Sequence, residues 1–501
     1  MLDRFKTLIN PSRTPRQGSV SNADGDRKDT AYYRDPELTA FLAGISSVVE
    51  LKDDIAPELY PKYDVKRGLR NSNGTGVVVG LTHIGDVCGY TTENGEKTPI
   101  EGKLYYRGYD IEDIVRNCIN ENRFGFEETA FLLLFGVLPT QKQLNDFNKV
   151  LASKRELPDG FSRDIMLTIP SPNVMNKLAQ SILALYSYDP DPENITVENV
   201  LRQSISLIGN FPTMIAYGYQ AKQTFYNNES LHLHYPDPEL STAENVLRMI
   251  RPTGEFSPLE AKILDLALIL HAEHGGGNNS TFATHLVSST GTDTYSAISA
   301  AVGSLKGPRH GGANLAVIHM IEDLKKNVSD ITSRAEVKKY LTKVLKGEAN
   351  DGSGLIYGLG HAVYTLSDPR AKLLKEMAKE LASAKNMLDD FMLCDYIEEI
   401  GPALYLELKG EERHMPANVD LYSGFVYNAL NIPIDIATPL FATARIPGWC
   451  AHRLEEIISG KKLMRPAYIS IQETLDYIPI SMRTFINNAD QIGRASCRER
   501  V

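Results

Sequence analysis

Histidines that lie beside glycines are the first residues in this chain whose type and spacing suggest chemistry. Three stretches carry them, HAEHGGGNN, GPRHGGAN and GLGHAVYTLSDPR, with His274, His310 and His361. Because glycine has no side chain to block a ligand, each of these rings is accessible from the neighbouring backbone. The alternative for each is an ordinary turn or core histidine. Six of the eleven histidines lie between residues 271 and 361, which favours a shared site.

His310 has a specific electrostatic setting, since LAVIHMIEDLKK after Gly312 predicts a helix beginning near Gly311. The positive end of that helix disfavours an imidazolium and favours a neutral ring that still donates one hydrogen bond. Such a donor suits an oxygen that gains negative charge during a reaction, and an enolate is one example.

Two other ligand types are less well supported by the same stretches. His271 and His274 are three residues apart, so they share a helix face and are a candidate metal pair, but the pattern is not HExxH and no third ligand is evident. We therefore expect no metal. The three glycines at 275–277 resemble a phosphate cradle, but they follow a helix and lack a subsequent GK[ST].

One aspartate and three arginines complete the candidate residues. Asp420 follows a proline-containing loop in HMPANVDLYSG, and its local sequence favours a helix N-cap. Arg370, Arg445 and Arg465 lie in loops or near prolines, where a solvated arginine is the ordinary alternative. An acidic chain that binds an acidic substrate must gather its arginines locally.

The elements that must position these residues are mostly helical. Ser257, Pro258 and Glu260 predict a capping box and a buried, apolar helix that stops at the three glycines. Residues 36–60 also look helical. GTGVVVGLTHIGDV and GKLYYRGYDI predict short strands and a minor β-hairpin near residues 75–110.

Composition excludes several classes of protein. The 501 residues carry a net charge of −10 and no dense Lys/Arg run, so a nucleic-acid partner is not expected. No apolar run reaches membrane-spanning length, and none of the five cysteines forms a CxxC pair. A reducing compartment and a cytoplasmic location are therefore expected.

The two ends of the chain are set apart from these motifs. Residues 1–75 are interpreted as an N-terminal extension of unclear role, with a polar lead-in. The final IGRASCRERV reads as a translated sequencing adapter, so residues 492–501, including Cys497, are interpreted as an artefact.

Taken together, the ordered motifs HAEHGGGN, GPRHGGAN, GLGHAVYTLSDPR, NVDLYSG, ATARIPG and RPAY resemble the citrate synthase family. The resemblance runs from GKLYYRGYDIEDI to LMRPAY, most of the chain. It implies a mainly α fold with a large helical domain at 76–310 and 428–491. A smaller mobile helical domain is implied at 311–427, with the short N-terminal β-hairpin on the large domain.

The resemblance also implies a role for each candidate residue. His310 would face the acetyl-CoA thioester, and Asp420 would be the catalytic base. His361 would contact the oxaloacetate carbonyl. The side chains that would bind the rest of oxaloacetate are His274, Arg370, Arg445 and Arg465. Arg465 would come from the partner subunit of a homodimer, with a hexamer as the alternative assembly.

The implied reaction is that of a citrate (Si)-synthase, an acyltransferase that converts the acyl group into an alkyl group on transfer. Acetyl-CoA is a co-substrate, and no cofactor or metal is implied. The closest alternative is 2-methylcitrate synthase, which uses propionyl-CoA. One methylene changes binding by only about 1–3 kcal/mol, so the motifs do not separate the two. A remote alternative is a non-catalytic helical metal-binding or scaffold protein that uses the HxxH pair.

Overall fold

The structure is a computed structural model that describes residues 35–93, 96–410 and 414–483. The proposed artefact at 492–501 lies outside the described residues, as does most of the polar lead-in. The chain divides into two compact units, Met1–Val77 with Ala467–Val501, and Val78–Pro466. Every predicted site residue belongs to the second unit.

Within residues 35–77 and 467–483, the described part of the first unit, lie two helices, α1 (Pro36–Asp53) and α2 (Leu59–Lys62), and two 3₁₀ turns, Arg67–Leu69 and Ile480–Met482. Asp35 caps α1 by accepting hydrogen bonds from the backbone N–H groups of Glu37 and Leu38. The helical prediction for residues 36–60 is therefore confirmed for most of its length.

A β-hairpin opens the second unit, as predicted. Strand β1 (Gly85–Glu93) pairs antiparallel with β2 (Glu96–Tyr106), and β2 pairs with the short β3 (Tyr109–Asp110). The prediction of a strand over the whole of GTGVVVGLTHIGDV is wrong for its first part. Residues 77–84 are not in a strand, and Val78 and Leu81 are exposed, so their β-branched and apolar side chains have no sheet to cover.

The rest of the second unit is helical. Its helices, in chain order, are α3 (Ile111–Asn120), α4 (Phe126–Phe135), α5 (Gln141–Ala152), α6 (Val174–Leu185), α7 (Val197–Asn227), α8 (Thr242–Ile250), α9 (Pro258–His271), α10 (Asn279–Ser288), α11 (Thr294–Lys306), α12 (Ala313–Asn327), α13 (Arg334–Leu345), α14 (Pro369–Ala384), α15 (Leu388–Lys409), α16 (Val419–Ala429) and α17 (Ile434–Ser459). A π-helical turn at Ser162–Leu167 and a 3₁₀ turn at Tyr186–Tyr188 join these helices. The prediction of a mainly α fold with an N-terminal hairpin is confirmed.

Helix α9 begins as its sequence predicts. Ser257 and Glu260 form the capping box, Pro258 occupies the first turn, and nearly all of the helix is buried. It ends at His271, before the three glycines, so His274 lies in the loop that follows. Tyr106 of β2 holds this end of the helix, because its hydroxyl donates to Ile269 O at 2.9 Å.

The hairpin also packs closely against residues 363–367. A Cβ atom at Gly89 would overlap the backbone of Val363, and one at Gly102 would overlap that of Ser367. The backbone N–H of Gly102 donates to Ser367 Oγ at 3.2 Å. Through these contacts the hairpin fixes the loop that carries His361.

In the part of the chain that the structure describes, no helix is both long and apolar enough to span a membrane. The four cysteines described there, Cys88, Cys118, Cys394 and Cys450, are free thiols. The division of the second unit into large and small domains stays a prediction.

Candidate active site

The structure brings His274 and His361 together from loops that are far apart in sequence. Their ring centroids are 5.1 Å apart, and the ring of Tyr364 lies 4.6 Å from His361 and 5.6 Å from His274. These three rings pack together, and we call the site around them the pocket.

The hydrogen bonds to His361 fix its tautomer. Its Nδ1 accepts from the backbone N–H groups of Val363 and Tyr364, each at 3.1 Å. A nitrogen that accepts two hydrogen bonds carries no proton, so a neutral ring carries its proton on Nε2. His361 is therefore a hydrogen-bond donor through Nε2.

Arg370 lies in the first turn of α14 and is held by a single buried carboxylate. Asp368 accepts from Arg370 Nε at 3.0 Å and from Nη2 at 2.7 Å. Burial opposes the charge of this guanidinium, but Asp368 reverses the effect and the pKa of Arg370 is raised. The planar ends of both side chains are thereby fixed, and the guanidinium lies near the Tyr364 ring, 5.5 Å from its centroid.

Arg445 lies inside α17 and is fully buried. Its Nε donates to His271 O at 2.6 Å, whereas Nη1 and Nη2 have no hydrogen-bond partner among the described residues. Burial lowers the pKa of Arg445 to about 10, so the guanidinium remains charged near neutral pH. A buried guanidinium with two unpaired nitrogens is costly unless an anion satisfies it.

His274 and Tyr364 contribute further unpaired atoms. His274 Nε2 and the Tyr364 hydroxyl are buried and have no partner within the described chain. Burial lowers the pKa of His274 well below its usual range, and the charges of Arg370 and Arg445 act in the same direction. His274 is thus neutral, and it lies within electrostatic range of both arginines.

His310 lies in the turn three residues before α12, close to the predicted helix start. Burial lowers its pKa to about 4, and the charge of Arg445 acts in the same direction. Both effects favour the neutral ring that the sequence predicts, and burial is the larger of the two. Its Nε2 is 3.0 Å from Ser280 Oγ, which also accepts from Trp449 Nε1 at 3.1 Å.

Asp420 is the second residue of α16, so the prediction that it caps this helix is wrong. Asn418 is the N-cap, and its side chain accepts from the backbone N–H of Asp420 at 3.0 Å. The Asp420 carboxylate is therefore available for another role. Burial raises its pKa to about 6, with Arg370 opposing the rise and Asp368 adding to it.

Arg465 is not brought to this pocket. It is exposed near the C-terminal end of the second unit, and in the described structure it makes no hydrogen bond to the other predicted site residues. Its position leaves open the predicted role in a partner subunit.

The HxxH pair does not form a metal centre in the described chain. His271 Nδ1 is 2.8 Å from Ala267 O on its own helix, and the ring is buried against Phe441, with centroids 4.9 Å apart. The single cluster of three metal-ligating groups among the described residues includes neither His271 nor His274.

Sequence reasoning missed four residues of this pocket: Ser280, Tyr364, Asp368 and Phe441. Three of them lie in or next to the quoted histidine motifs. Their polar side chains and their short separation in sequence from His274 or His361 could therefore have indicated them. Phe441 had no such signal. Its ring contacts Arg445, whose guanidinium carbon is 4.8 Å from the ring centroid, because the two are one helical turn apart on α17.

The pocket as a whole combines two arginines, the neutral His274 and His310, His361, and one carboxylate whose pKa lies near 6. Two buried guanidinium groups, of which that of Arg445 has two unpaired nitrogens, suit a small dicarboxylate. A neutral imidazole donor suits a carbonyl oxygen, and a carboxylate of raised pKa suits proton abstraction. The arrangement can therefore bind a keto-dicarboxylate beside a general base.

The comparisons with known proteins all point to the same family. Residues 72–467 match the sequence profile described as "Citrate synthase, C-terminal domain". A citrate synthase from Haloferax volcanii is 34% identical over 389 residues, covering 76% of this chain and 93% of the relative. A 2-methylcitrate synthase 1 from Corynebacterium glutamicum is 32% identical, covering 77% of this chain and 94% of the relative.

A solved structure is similar over nearly its full length. The citrate synthase of the thermophilic archaeon Thermoplasma acidophilum, in a ternary complex with carboxymethyl coenzyme A and oxaloacetate, superposes with a TM-score of 0.67 at 27% identity. The match covers 83% of this chain and 99% of that one. The mainly α fold with a small N-terminal hairpin is thus shared with a solved enzyme.

Proposed function

The chain belongs to the citrate synthase family, and we propose that it condenses acetyl-CoA with oxaloacetate and water to give citrate and CoA. The observation that carries this proposal is the set of buried, unpaired polar atoms of His274, Tyr364 and Arg445 near a carboxylate of raised pKa. A ligand with two carboxylates and a carbonyl would satisfy these atoms.

Oxaloacetate would be held by its two carboxylates. Arg445 Nη1 and Nη2 offer a bidentate fork for one of them, and Arg370 offers the donors that Asp368 leaves unused. His274 would add a contact from the loop after α9. His361 would donate from Nε2 to the ketone oxygen and polarise the carbon that is attacked.

Acetyl-CoA would be activated by Asp420 and His310. The Asp420 carboxylate takes a proton from the methyl carbon, and the thioester oxygen gains negative charge. His310 Nδ1 is the ring nitrogen left for that oxygen, because Nε2 contacts Ser280. The Ser280 hydroxyl has one proton, and Asn278 Oδ1, 2.8 Å from Ser280 Oγ, competes for it with His310 Nε2. When the hydroxyl donates to Nε2, the neutral His310 ring carries its proton on Nδ1 and can donate it in a hydrogen bond.

The enolate carbon then attacks the ketone carbon of oxaloacetate, which forms citryl-CoA. Water cleaves the thioester and releases citrate and CoA. We propose that closure of the small domain excludes water until the carbon–carbon bond has formed. We also propose a homodimer in which Arg465 completes the oxaloacetate site of the partner subunit.

The 2-methylcitrate synthase relative keeps propionyl-CoA as the second candidate substrate. A comparison of kcat/KM for acetyl-CoA and propionyl-CoA, each with saturating oxaloacetate, separates the two proposals. We expect the higher value for acetyl-CoA and citrate as the product by mass spectrometry. A clear preference for propionyl-CoA would assign the chain to 2-methylcitrate synthesis instead.

A further inference from the structure

Two histidines outside the proposed substrate pocket face each other in the interior of the second unit. His285 of α10 and His452 of α17 approach through Nε2 and Nδ1, which are 3.0 Å apart. The remaining nitrogen of each ring contacts a carboxylate. His285 Nδ1 is 2.8 Å from Glu456 Oε2, and His452 Nε2 is 3.0 Å from Glu273 Oε1.

A count of protons shows that this chain of contacts needs a cation at its centre. Carboxylates only accept, so His285 Nδ1 and His452 Nε2 each carry a proton. Two neutral rings then present two nitrogens without protons to each other. Such a contact is repulsive unless a proton or a metal ion lies between the nitrogens. The His285 side chain is 12% exposed, and burial lowers the pKa of His285, which disfavours an imidazolium there.

Glu455 supplies a third group at the same place. It lies three residues after His452, on the same face of α17, and its Oε2 is 3.8 Å from His452 Nδ1. This oxygen is buried and accepts no hydrogen bond from any described residue. The other oxygen, Oε1, accepts the backbone N–H of His83 at 2.7 Å, which fixes the carboxylate.

We propose that His285 Nε2, His452 Nδ1 and Glu455 Oε2 bind one divalent transition-metal ion, with zinc as the best fit. The three atoms lie within 4.8 Å of one another. Two ligand atoms bonded to one zinc ion lie at most about 4.2 Å apart, and the 3.0 Å and 3.8 Å separations meet that limit. The third pair, His285 Nε2 and Glu455 Oε2, is separated by no more than 4.8 Å, and a rotation of the carboxylate about its hydrogen bond to His83 would complete the set.

The surroundings of the three ligands support this assignment. Ligating histidines in metalloproteins usually donate their second N–H to a carboxylate, and Glu456 and Glu273 are placed for that role. Three carboxylates around the two rings favour a dication, although Arg107 offsets part of the charge of Glu455 and Glu273, and Arg445 part of that of Glu273. Imidazole nitrogen and carboxylate oxygen are ligands that zinc accepts.

The ion would stabilise the loop that carries His274. Glu273 directly precedes His274, and its Oε1 accepts both from His452 and from the backbone N–H of Gly275. An ion that fixes His452 would therefore also fix Glu273 and Gly275, the residues before and after His274. A ligand that binds only the folded chain also raises the melting temperature by mass action.

The test is a titration of the untagged, chelator-treated chain with Co²⁺, which replaces zinc and absorbs visible light. We expect one Co²⁺ per chain, a ligand-field absorption band and a higher melting temperature. His285→Gln and Glu455→Gln should each weaken Co²⁺ binding by at least about tenfold. His319→Gln changes an exposed histidine outside the cluster and should bind as the wild type does.

The proposal would be overturned if the wild type bound Co²⁺ no more tightly than folded His285→Gln does. A proton shared between the two rings would then explain the contact between the histidines. Circular dichroism establishes that each variant is folded. If His285→Gln does not fold, Glu455→Gln decides in its place, because that side chain is partly exposed and its amide oxygen still accepts from His83. The readout is metal binding, so it does not depend on the proposed enzymatic function.

Discussion

Asp368 and Arg370 form a bidentate ion pair whose Oδ1–Nε and Oδ2–Nη2 distances are 3.0 Å and 2.7 Å. The same carboxylate accepts the backbone N–H of Val419 at 3.3 Å, one residue before Asp420. Asp368 thus orients a proposed substrate-binding arginine and also fixes the start of α16, which carries the proposed base. Its negative charge adds to the raised pKa of Asp420.

The pKa of Asp420 predicts the pH dependence of the reaction. The base must be ionised, so kcat/KM for acetyl-CoA should fall as pH falls through about 6, by about tenfold per pH unit below it. His310 remains neutral down to about pH 4, so its titration does not steepen the pH–rate profile above that value. Initial rates between pH 4.5 and 8, at saturating oxaloacetate, measure this profile.

The matched control is Asp435→Asn, which changes an aspartate at the same helical position of α17. Its profile should follow that of the wild type. An acid limb that lies near pH 4 in the wild-type enzyme would show that Asp420 is not the group that titrates.

Arg445 is predicted to bind oxaloacetate through its two unpaired nitrogens. Arg445→Lys keeps the charge but loses the planar fork, so KM for oxaloacetate should rise by about 10- to 100-fold, equivalent to about 1.5–3 kcal/mol of charge-assisted hydrogen bonding. Arg453→Lys is the control on the same helix, because the Arg453 guanidinium already donates hydrogen bonds to Thr294, Ser288 and Thr292 O. It should lower the melting temperature and leave KM unchanged; equal KM effects in both variants would exclude a specific role for Arg445.

Ser280 is predicted to act through His310. Ser280→Ala removes the hydroxyl that contacts Nε2, so the ring no longer has a fixed tautomer and kcat should fall by about tenfold, the effect of about one hydrogen bond. The oxaloacetate affinity should not change. Trp449→Phe removes a different hydrogen bond of Ser280 and should lower stability while leaving kcat per folded molecule near wild type. A loss of oxaloacetate binding in Ser280→Ala would indicate a collapsed pocket instead.

Arg465 is predicted to act in the partner subunit, and a mixture of inactive variants tests this. In a mixed dimer of Asp420→Asn and Arg465→Gln, one of the two sites combines an intact Asp420 with an intact Arg465 of the partner. Random mixing should restore about a quarter of wild-type activity, whereas each variant alone should be inactive. Mixtures that stay inactive after subunit exchange would place Arg465 in the site of its own chain.

Local sequence signals predicted the elements better than the pocket. The capping box of α9 depends on neighbouring residues alone, so a local pattern predicts it. The strand predicted within residues 74–87 is absent at 77–84, because β-branched residues form a strand only where a partner strand and a surface exist.

The pocket depends on contacts between distant residues, which no local pattern contains. Asp420 has the sequence context of an N-cap, and only the Asn418 side chain shows that the cap lies two residues earlier. His285 and His452 are 167 residues apart and in direct contact. The family motifs located His274, His310 and His361, but the unpaired nitrogens of Arg445 are visible only in the structure.

Oxaloacetate-dependent release of CoA from acetyl-CoA, measured for the wild type and for Asp420→Asn, tests most directly whether this pocket performs the condensation. We expect the wild type to release CoA and form citrate. The variant should lose about 10²- to 10⁴-fold in turnover, because its amide cannot take the methyl proton. It should still bind oxaloacetate with wild-type affinity by calorimetry. Turnover of Asp420→Asn near the wild-type value, or wild-type CoA release that does not require oxaloacetate, would contradict the proposed function.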